Sequence, residues 1–511
     1  MSRPPLDPTF TALPLRRLGE VALARAEQLG ATHADFRLER VRYQRLSARD
    51  GVLQRASDTE DLGFAVRVVH RGSWGFAAGV VLTDESARSV AEQAIAVAEV
   101  AAAMTTRPVE LAPEPRYADV AWVSAYDINP LDVPIAEKAD VLRGWTDRLR
   151  SGAAVDHATA FLVQVQENKY YADLAGTRTT QQRVRMFPGF EAMGEGADTF
   201  DTMASIAPPV GRGWEYVAGE IGPDGPAWNW DAELDEVPEL LAEKLKAPSV
   251  EPGSYDLVIH PSNLWLTIHE SIGHATELDR ALGYEANYAG TSFATYDQLG
   301  TLRYGSDVMH VTGDRTIEHG LATIGYDDEG VATQSWDIVR GGTLVGYQLD
   351  RSMGQMKPEL NAGRSNGCAY ADSPGHIPIQ RMANVSLQPA PEGPGTGELI
   401  SRVERGLYIV GDKSWSIDMQ RYNFQFTGQR FYAIRDGELV GQVRDVAYQA
   451  TTTEFWGSME AVGGPQTYVL GGAFNCGKAQ PGQVASVSHG CPTALFRGVR
   501  ILNTTQEGAD Q

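Results

Sequence analysis

The chain of 511 residues is long for one hydrophobic core, and two or three domains are the expected organisation. Its net charge of −22 argues against the basic surface that phosphate binding needs, so no nucleic-acid partner is expected; no stretch approaches the roughly 20 apolar residues of a membrane-spanning helix. A hydrophobic fraction of 42%, 53 glycines and three cysteines describe a turn-rich globular protein without a disulfide framework.

Residues 15–30 carry helical periodicity and a glycine stop. Arg16 and Arg17 sit near its start, but LGEVALARAEQLG is charged throughout and holds no apolar export-signal core, so a cytoplasmic location is expected. Residues 34–47 and 63–77 alternate and are rich in β-branched side chains, which predicts strands joined by turns. Asp84 is then expected to cap a long alanine-rich helix. Helix, strands and helix make an α+β module over residues 1–115, closed by the proline-rich TTRPVELAPEPRYADV. A middle segment, 116–246, reads as a helix opening at Pro134, two strand-like runs around an Asp-Leu-Ala-Gly-Thr turn, and an amphipathic helix over 234–246. From 247 to 511 the pattern is one strand, YDLVIH, one helix, and then mostly short strands separated by Gly-Asp and Asp-Gly turns. The expected fold class is α+β, an N-terminal α+β module followed by a mostly antiparallel, β-rich C-terminal domain.

The single helix of that last region holds the chemistry. Residues 264–280, LWLTIHESIGHATELDR, place His269, Glu270 and His274 within six residues. Two neutral imidazoles can hold a zinc ion, and a carboxylate beside the first can take a proton from an activated water. The spacing is one longer than the zinc-protease pair four residues apart. On a regular α-helix, at roughly 100° per residue, His274 would point about 140° away from His269. Both reach one ion only if the helix widens into an i→i+5 turn or ends near Gly273, whose backbone freedom would allow either.

A hydrolytic zinc site has three protein ligands and one open position. Glu277 and Asp279 are near candidates for the third. Cys476, in GGAFNCGKAQPGQ, is a distant one, with Lys478 placed to favour its thiolate, and His489 and Cys491 are further options. The residue chemistry alone does not rank them.

Five short motifs occur here in fixed order: HESIGHATELD, GYDDEG at 325–330, GTLVGY at 342–347, Arg381-Met382-Ala383-Asn384, and Asn475-Cys476-Gly477-Lys478. In that order they resemble the TldD/PmbA metallopeptidase family, its TldD branch, and LGFAVRVVHRGSWGFA resembles that family's N-terminal module. The resemblance covers nearly the whole chain, is strongest over 254–478, and is loose over 422–464. It implies an intracellular zinc peptidase acting on peptides or unfolded polypeptides, working as a homodimer or as a heterodimer with a paralogous subunit. It implies His269, His274 and Cys476 as zinc ligands, Glu270 as the catalytic base, and a metallopeptidase role for the C-terminal domain. Cys368 and Cys491 match no ligand position and are expected to be structural.

Thiolate ligation weakens a zinc Lewis acid, so extra oxyanion donors are expected. His260, Tyr347 and Arg381 are the polar candidates, and Glu277 and Asp279 are expected to support the ligands or to lie on the helix surface. The competing readings are a non-catalytic peptide-binding or partner subunit, a zinc amidohydrolase acting on small amides, and a structural zinc site closed by Cys491 or His489.

Overall fold

In the computed structural model, β1 (His33–Arg49) and β2 (Val52–His70) form a hairpin whose turn holds Asp50 and Gly51 at φ of 51° and 79°. Two positive φ values in a two-residue loop match the twist of the strands they join, which is why an Asp-Gly pair sits there. The structure describes residues 3–196, 200–219, 221, 222, 225, 226 and 228–505. β3 (Ser73–Gly79), β4 (Val120–Val123), β5 (His157–Asp173), β6 (Arg178–Glu195) and β7 (Phe200–Ala204) complete the first sheet. Its order is β3-β2-β1-β5-β6-β4, with β7 also on β6. Strands from residues 1–115 and from 116–246 therefore share one sheet, joined through fifteen antiparallel pairs from Asp35↔Asp173 to Arg49↔Thr159.

The period of two divides this sheet cleanly. On β1 the even residues Phe36, Leu38, Leu46 and Ala48 are buried beneath helices. On β5 Ala158, Ala160, Leu162, Tyr170 and Ala172 do the same. Helices Leu15–Gln28 and Asp84–Ala102 cover one end of that face, and Ile135–Arg150 and Trp230–Lys244 the other. The expected helix cap at Asp84 is in fact Thr83, whose hydroxyl accepts from Ser86 N; Asp84 lies in the first turn, where its charge favours the helix dipole and pairs with Arg17.

The odd face meets the C-terminal half. There, Gly253–Ile259 pairs in parallel with Arg405–Ile417, which pairs with Asn423–Arg435, then Val446–Thr451, then Ala494–Asn503, which returns to Gly253–Ile259. Five strands thus close into a barrel, which leaves no open edge among them. A four-stranded sheet around Val311–Asp314 and a hairpin, Val469–Lys478 with Gln483–Cys491, pack beside it. The chain is α+β with a β-rich C-terminal part, as expected.

Candidate metal centre

The motif helix starts where the first barrel strand ends. His260 accepts from Ser262 N at 3.2 Å, Pro261 follows in the first turn, and the helix runs Pro261–Ile268. Residues 261–268 are buried on nearly every side, with Leu264, Leu266 and Ile268 packed among Phe424, Tyr448 and Phe496 of the barrel. At His269 the helix widens into a π turn, His269–Gly273, in which His274 N–H bonds to His269 O. A single 3-10 turn, His274–Thr276, follows. The wider turn cancels the angular mismatch of the five-residue spacing, and the two imidazole centroids lie 4.7 Å apart.

Gly273 works differently from the expectation. Its φ of −53° is open to any residue. A Cβ at this position would instead lie 2.5 Å from Met382 Sδ, so the glycine provides room for close packing and not backbone freedom.

His269, His274 and Cys476 bring one donor atom each to within 4.8 Å of one another. Cys476 Sγ lies 3.6 Å from His274 Nε2. Bonds of about 2.1 and 2.3 Å at a tetrahedral angle set N and S about 3.6 Å apart, so this donor pair fits zinc. Hydrogen bonds behind the rings aim the lone pairs. His489 Nδ1 lies 2.8 Å from Val385 O and must donate there, which leaves its Nε2 to accept from His269 Nδ1 at 2.7 Å. His274 Nδ1 donates to Glu277 Oε2 at 3.0 Å. Both Nε2 atoms are left as acceptors facing the cluster, the arrangement that metal-bound imidazoles use. Burial pushes His269 below the ordinary histidine range, keeping it neutral. Burial raises the Cys476 thiol, but its contact with His274 and the nearby Arg381 guanidinium bring it below the ordinary thiol range.

Each remaining candidate has a definite place. Glu277 and Asp279 are not at the cluster: Lys478 Nζ bonds to Glu277 at 3.0 Å and to Asp279 at 2.8 Å. Lys478 is therefore a partner of those carboxylates and not of the thiol, as first expected. Burial alone would raise Glu277, but Lys478 and His274 hold it well below the carboxylate range. Arg381 donates to Cys476 O and Gln483 O, pinning the two strands of the hairpin that carries the cysteine. His260 caps the helix, and the Tyr347 hydroxyl donates to Ala294 O. None of these three reaches the donor cluster as an oxyanion donor. Cys491 Sγ faces Pro261 O, Cys368 Sγ faces Asn366, and burial pushes the Cys368 thiol up to about 12, so both are inert.

Arg421 is the residue that the sequence reading missed. It sits at φ 65° in the loop between two barrel strands, and Asp418 holds that loop by accepting from the backbone N–H groups of Gln420, Tyr422 and Asn423. Arg421 Nη1 reaches Glu270 Oε2 at 2.5 Å. Burial would raise Glu270, but the Arg421 guanidinium bonded to it is a fixed positive charge, and the carboxyl lies below its ordinary value. Nothing in the one-dimensional pattern separates Arg421 from the other arginines, because the loop delivers it from 151 residues away.

Residues 252–503 match the PmbA/TldA metallopeptidase C-terminal domain, and residues 34–98 match PmbA/TldA metallopeptidase domain 1. A metalloprotease of Methanocaldococcus jannaschii is 26% identical over 439 residues, covering 84% of this chain and 89% of that protein. A protein of Saccharolobus solfataricus named as a zinc metalloprotease TldD homolog is 21% identical over 483 residues, covering 94% and 98%. The crystal structure of TldE from Thermococcus kodakarensis superimposes with a TM-score of 0.68 at 15% identity, covering 95% of this chain and 99% of that one, so the two share a fold. Together these matches establish that the chain belongs to the PmbA/TldD metallopeptidase family.

Proposed function

We propose that the protein is a zinc-dependent peptidase that hydrolyses peptides or unfolded polypeptides. One observation carries the reading: two oriented imidazole Nε2 atoms and the Cys476 sulfur converge beside the ionised carboxylate of Glu270. Three protein donors with no fourth Cys or His among them is the composition of a hydrolytic site, since His489 and Cys491 are engaged elsewhere. The names of the relatives support the same reading.

His269, His274 and Cys476 would hold the ion. Bound zinc supplies Lewis acidity and makes water acidic enough to attack at neutral pH. Glu270, ionised and buried, would take the attacking water's proton and return it to the departing amine. Arg421 holds one oxygen of that carboxylate and so fixes which one faces the substrate. Glu277 and His489 hold the two imidazoles in the tautomer that keeps Nε2 free. Assembly into a dimer, with a second copy or with a paralogous subunit, is part of the same proposal.

Glu270→Gln tests the assignment. Peptide hydrolysis should fall by at least about a hundredfold, the usual contribution of a general base, while zinc content stays near that of wild type. Turnover within about tenfold of wild type would remove Glu270 from the role.

A further inference from the structure

A cavity of about 390 Å³ lies between the odd face of the first sheet and the motif helix. Its walls are aromatic: Phe161 meets Phe187 edge to face at 5.0 Å, and Phe187 stacks on Phe474 at 5.8 Å. Trp265 and Trp415 form the side nearest the donor cluster. The Trp265 ring is 6.4 Å from that of His269, one helical turn further on. Trp415 is close enough to Glu270 to help hold its carboxyl below the ordinary value. Gly471, Gly472 and Ala473 line the cavity from the strand that reaches Cys476 three residues later. The cavity thus adjoins the proposed reaction centre from three directions.

Its charge is unbalanced. Glu191, Asp412 and Lys413 are the charged residues in its lining, and Lys413 is committed to Asp201 at 2.7 Å. Among the described residues the one side-chain donor to Asp412 is the Trp265 indole N–H, at 3.2 Å, and Asp412 has no salt bridge. Burial pushes its carboxyl up to about 6, opposed by the Trp265 bond and its own backbone N–H and by no cation. A carboxylate in an aromatic cavity without a counter-ion is costly, and the guest that removes the cost is a cation with an apolar stem. Lysine and arginine side chains lay methylenes along phenylalanine rings and place their charge over tryptophan faces and beside a carboxylate. An acidic guest would be repelled, and an aliphatic one would fill the walls but leave Asp412 bare.

We propose that this cavity is a specificity pocket that receives a lysine or arginine side chain of the peptide substrate, one or two residues from the scissile bond. One helical turn from Trp265 to His269 is about 6 Å, and an extended peptide advances about 3.3 Å per residue, which sets that range. The proposal rests on the peptidase reading for its substrate, but binding can be measured without turnover. The zinc-loaded Glu270→Gln protein is titrated with fluorescently labelled peptides of one scaffold, carrying lysine, arginine, norleucine or glutamate at successive positions. At one position the lysine and arginine peptides should bind at least about tenfold tighter than norleucine, a difference of about 1.4 kcal/mol. Adding Asp412→Asn, which keeps the shape and the Trp265 bond, should bring that ratio near one, and Asp412→Lys should shift the preference to glutamate. Equal binding of lysine and norleucine peptides at every position overturns the pocket. So does a lysine preference that survives Asp412→Asn in folded protein. Wild-type zinc protein that cleaves none of the peptides overturns the peptidase reading separately, since the binding ratios are read in an inactive variant.

Discussion

Two clusters of buried charge flank the C-terminal half, and they are built to different tolerances. At the junction with the first sheet, Lys169 bonds to Asp328 at 2.8 Å, Arg67 to Asp35 at 2.7 Å and to Glu329 at 3.0 Å, and Arg183 and Arg185 share Glu167. Glu39 sits among them fully buried, 3.4 Å from both Lys169 and Arg37, with no hydrogen bond to either carboxylate oxygen among the described residues. Behind the donor cluster the fit is tighter. Both oxygens of Glu277 are bonded, one to Lys478 and one to His274, and Arg280 lies beside the second. The junction only has to bring two halves into register, and several interchangeable ion pairs do that. The centre has to hold an imidazole at one angle, and that needs a hydrogen bond to a defined atom.

The largest effect expected from this contrast is at Lys478. Lys478→Met would leave Glu277 and Asp279 buried against each other without their cation, a loss of about 3–5 kcal/mol. Lys169→Met at the junction should cost a similar amount. Urea unfolding followed beside zinc titration separates the two: zinc affinity should drop with Lys478→Met and hold with Lys169→Met. Equal zinc affinities in the two variants would mean that the carboxylates behind His274 do not set its orientation.

A smaller change isolates the hydrogen bond itself. Glu277→Gln retains an acceptor for the His274 ring but removes the charge, and zinc affinity should fall about 10- to 100-fold, the usual cost of losing a carboxylate behind a metal-bound histidine. Competition against a chelator measures it. Glu167→Gln at the junction, which also removes a buried charge, should leave zinc affinity unchanged, and a loss there as large as in Glu277→Gln would show that any buried charge matters equally.

The sequence was legible where one periodicity had one meaning. The helix over 15–28, the alanine-rich helix, and the alternation of β1 all follow from spacing, and the five-residue gap between His269 and His274 already required either a π turn or a helix end near Gly273, of which the π turn is found. It was not legible where two chains of side chains meet. Asp35, Arg37 and Glu39 alternate with Phe36 and Leu38, a pattern that ordinarily marks a solvent face, yet they are at most 3% exposed, because Arg67 pairs with Asp35, Lys169 lies beside Glu39, and Asp328 and the backbone oxygens of Ser373 and His376 answer Arg37. GYDDEG was visible as a motif but not as the docking element it is: Asp327 accepts from the backbone of Glu329, Val331 and Ala369, which holds the loop, while Asp328 and Glu329 reach the first sheet. Arg421 was invisible for the same reason, since its partner is set by barrel closure.

The last effect is expected at Glu39, and its size, near zero in acid, depends on pH. Burial raises its carboxyl to about 8, with Lys169 and Arg37 opposing, against an ordinary value of 4.5. In the unfolded chain the group ionises near that ordinary value, whereas in the folded protein it keeps its proton until about pH 8. Its contribution is therefore fully present below pH 4.5 and is lost as pH rises through about 8. Glu39→Gln keeps the neutral shape and removes the titration. The variant and wild type should unfold at similar urea concentrations near pH 4.5, and the variant should be the more stable of the two at pH 8. A gap between them that does not change with pH would mean that Glu39 is ionised in the fold throughout, paired with Lys169, and that the junction is as tightly matched as the metal centre.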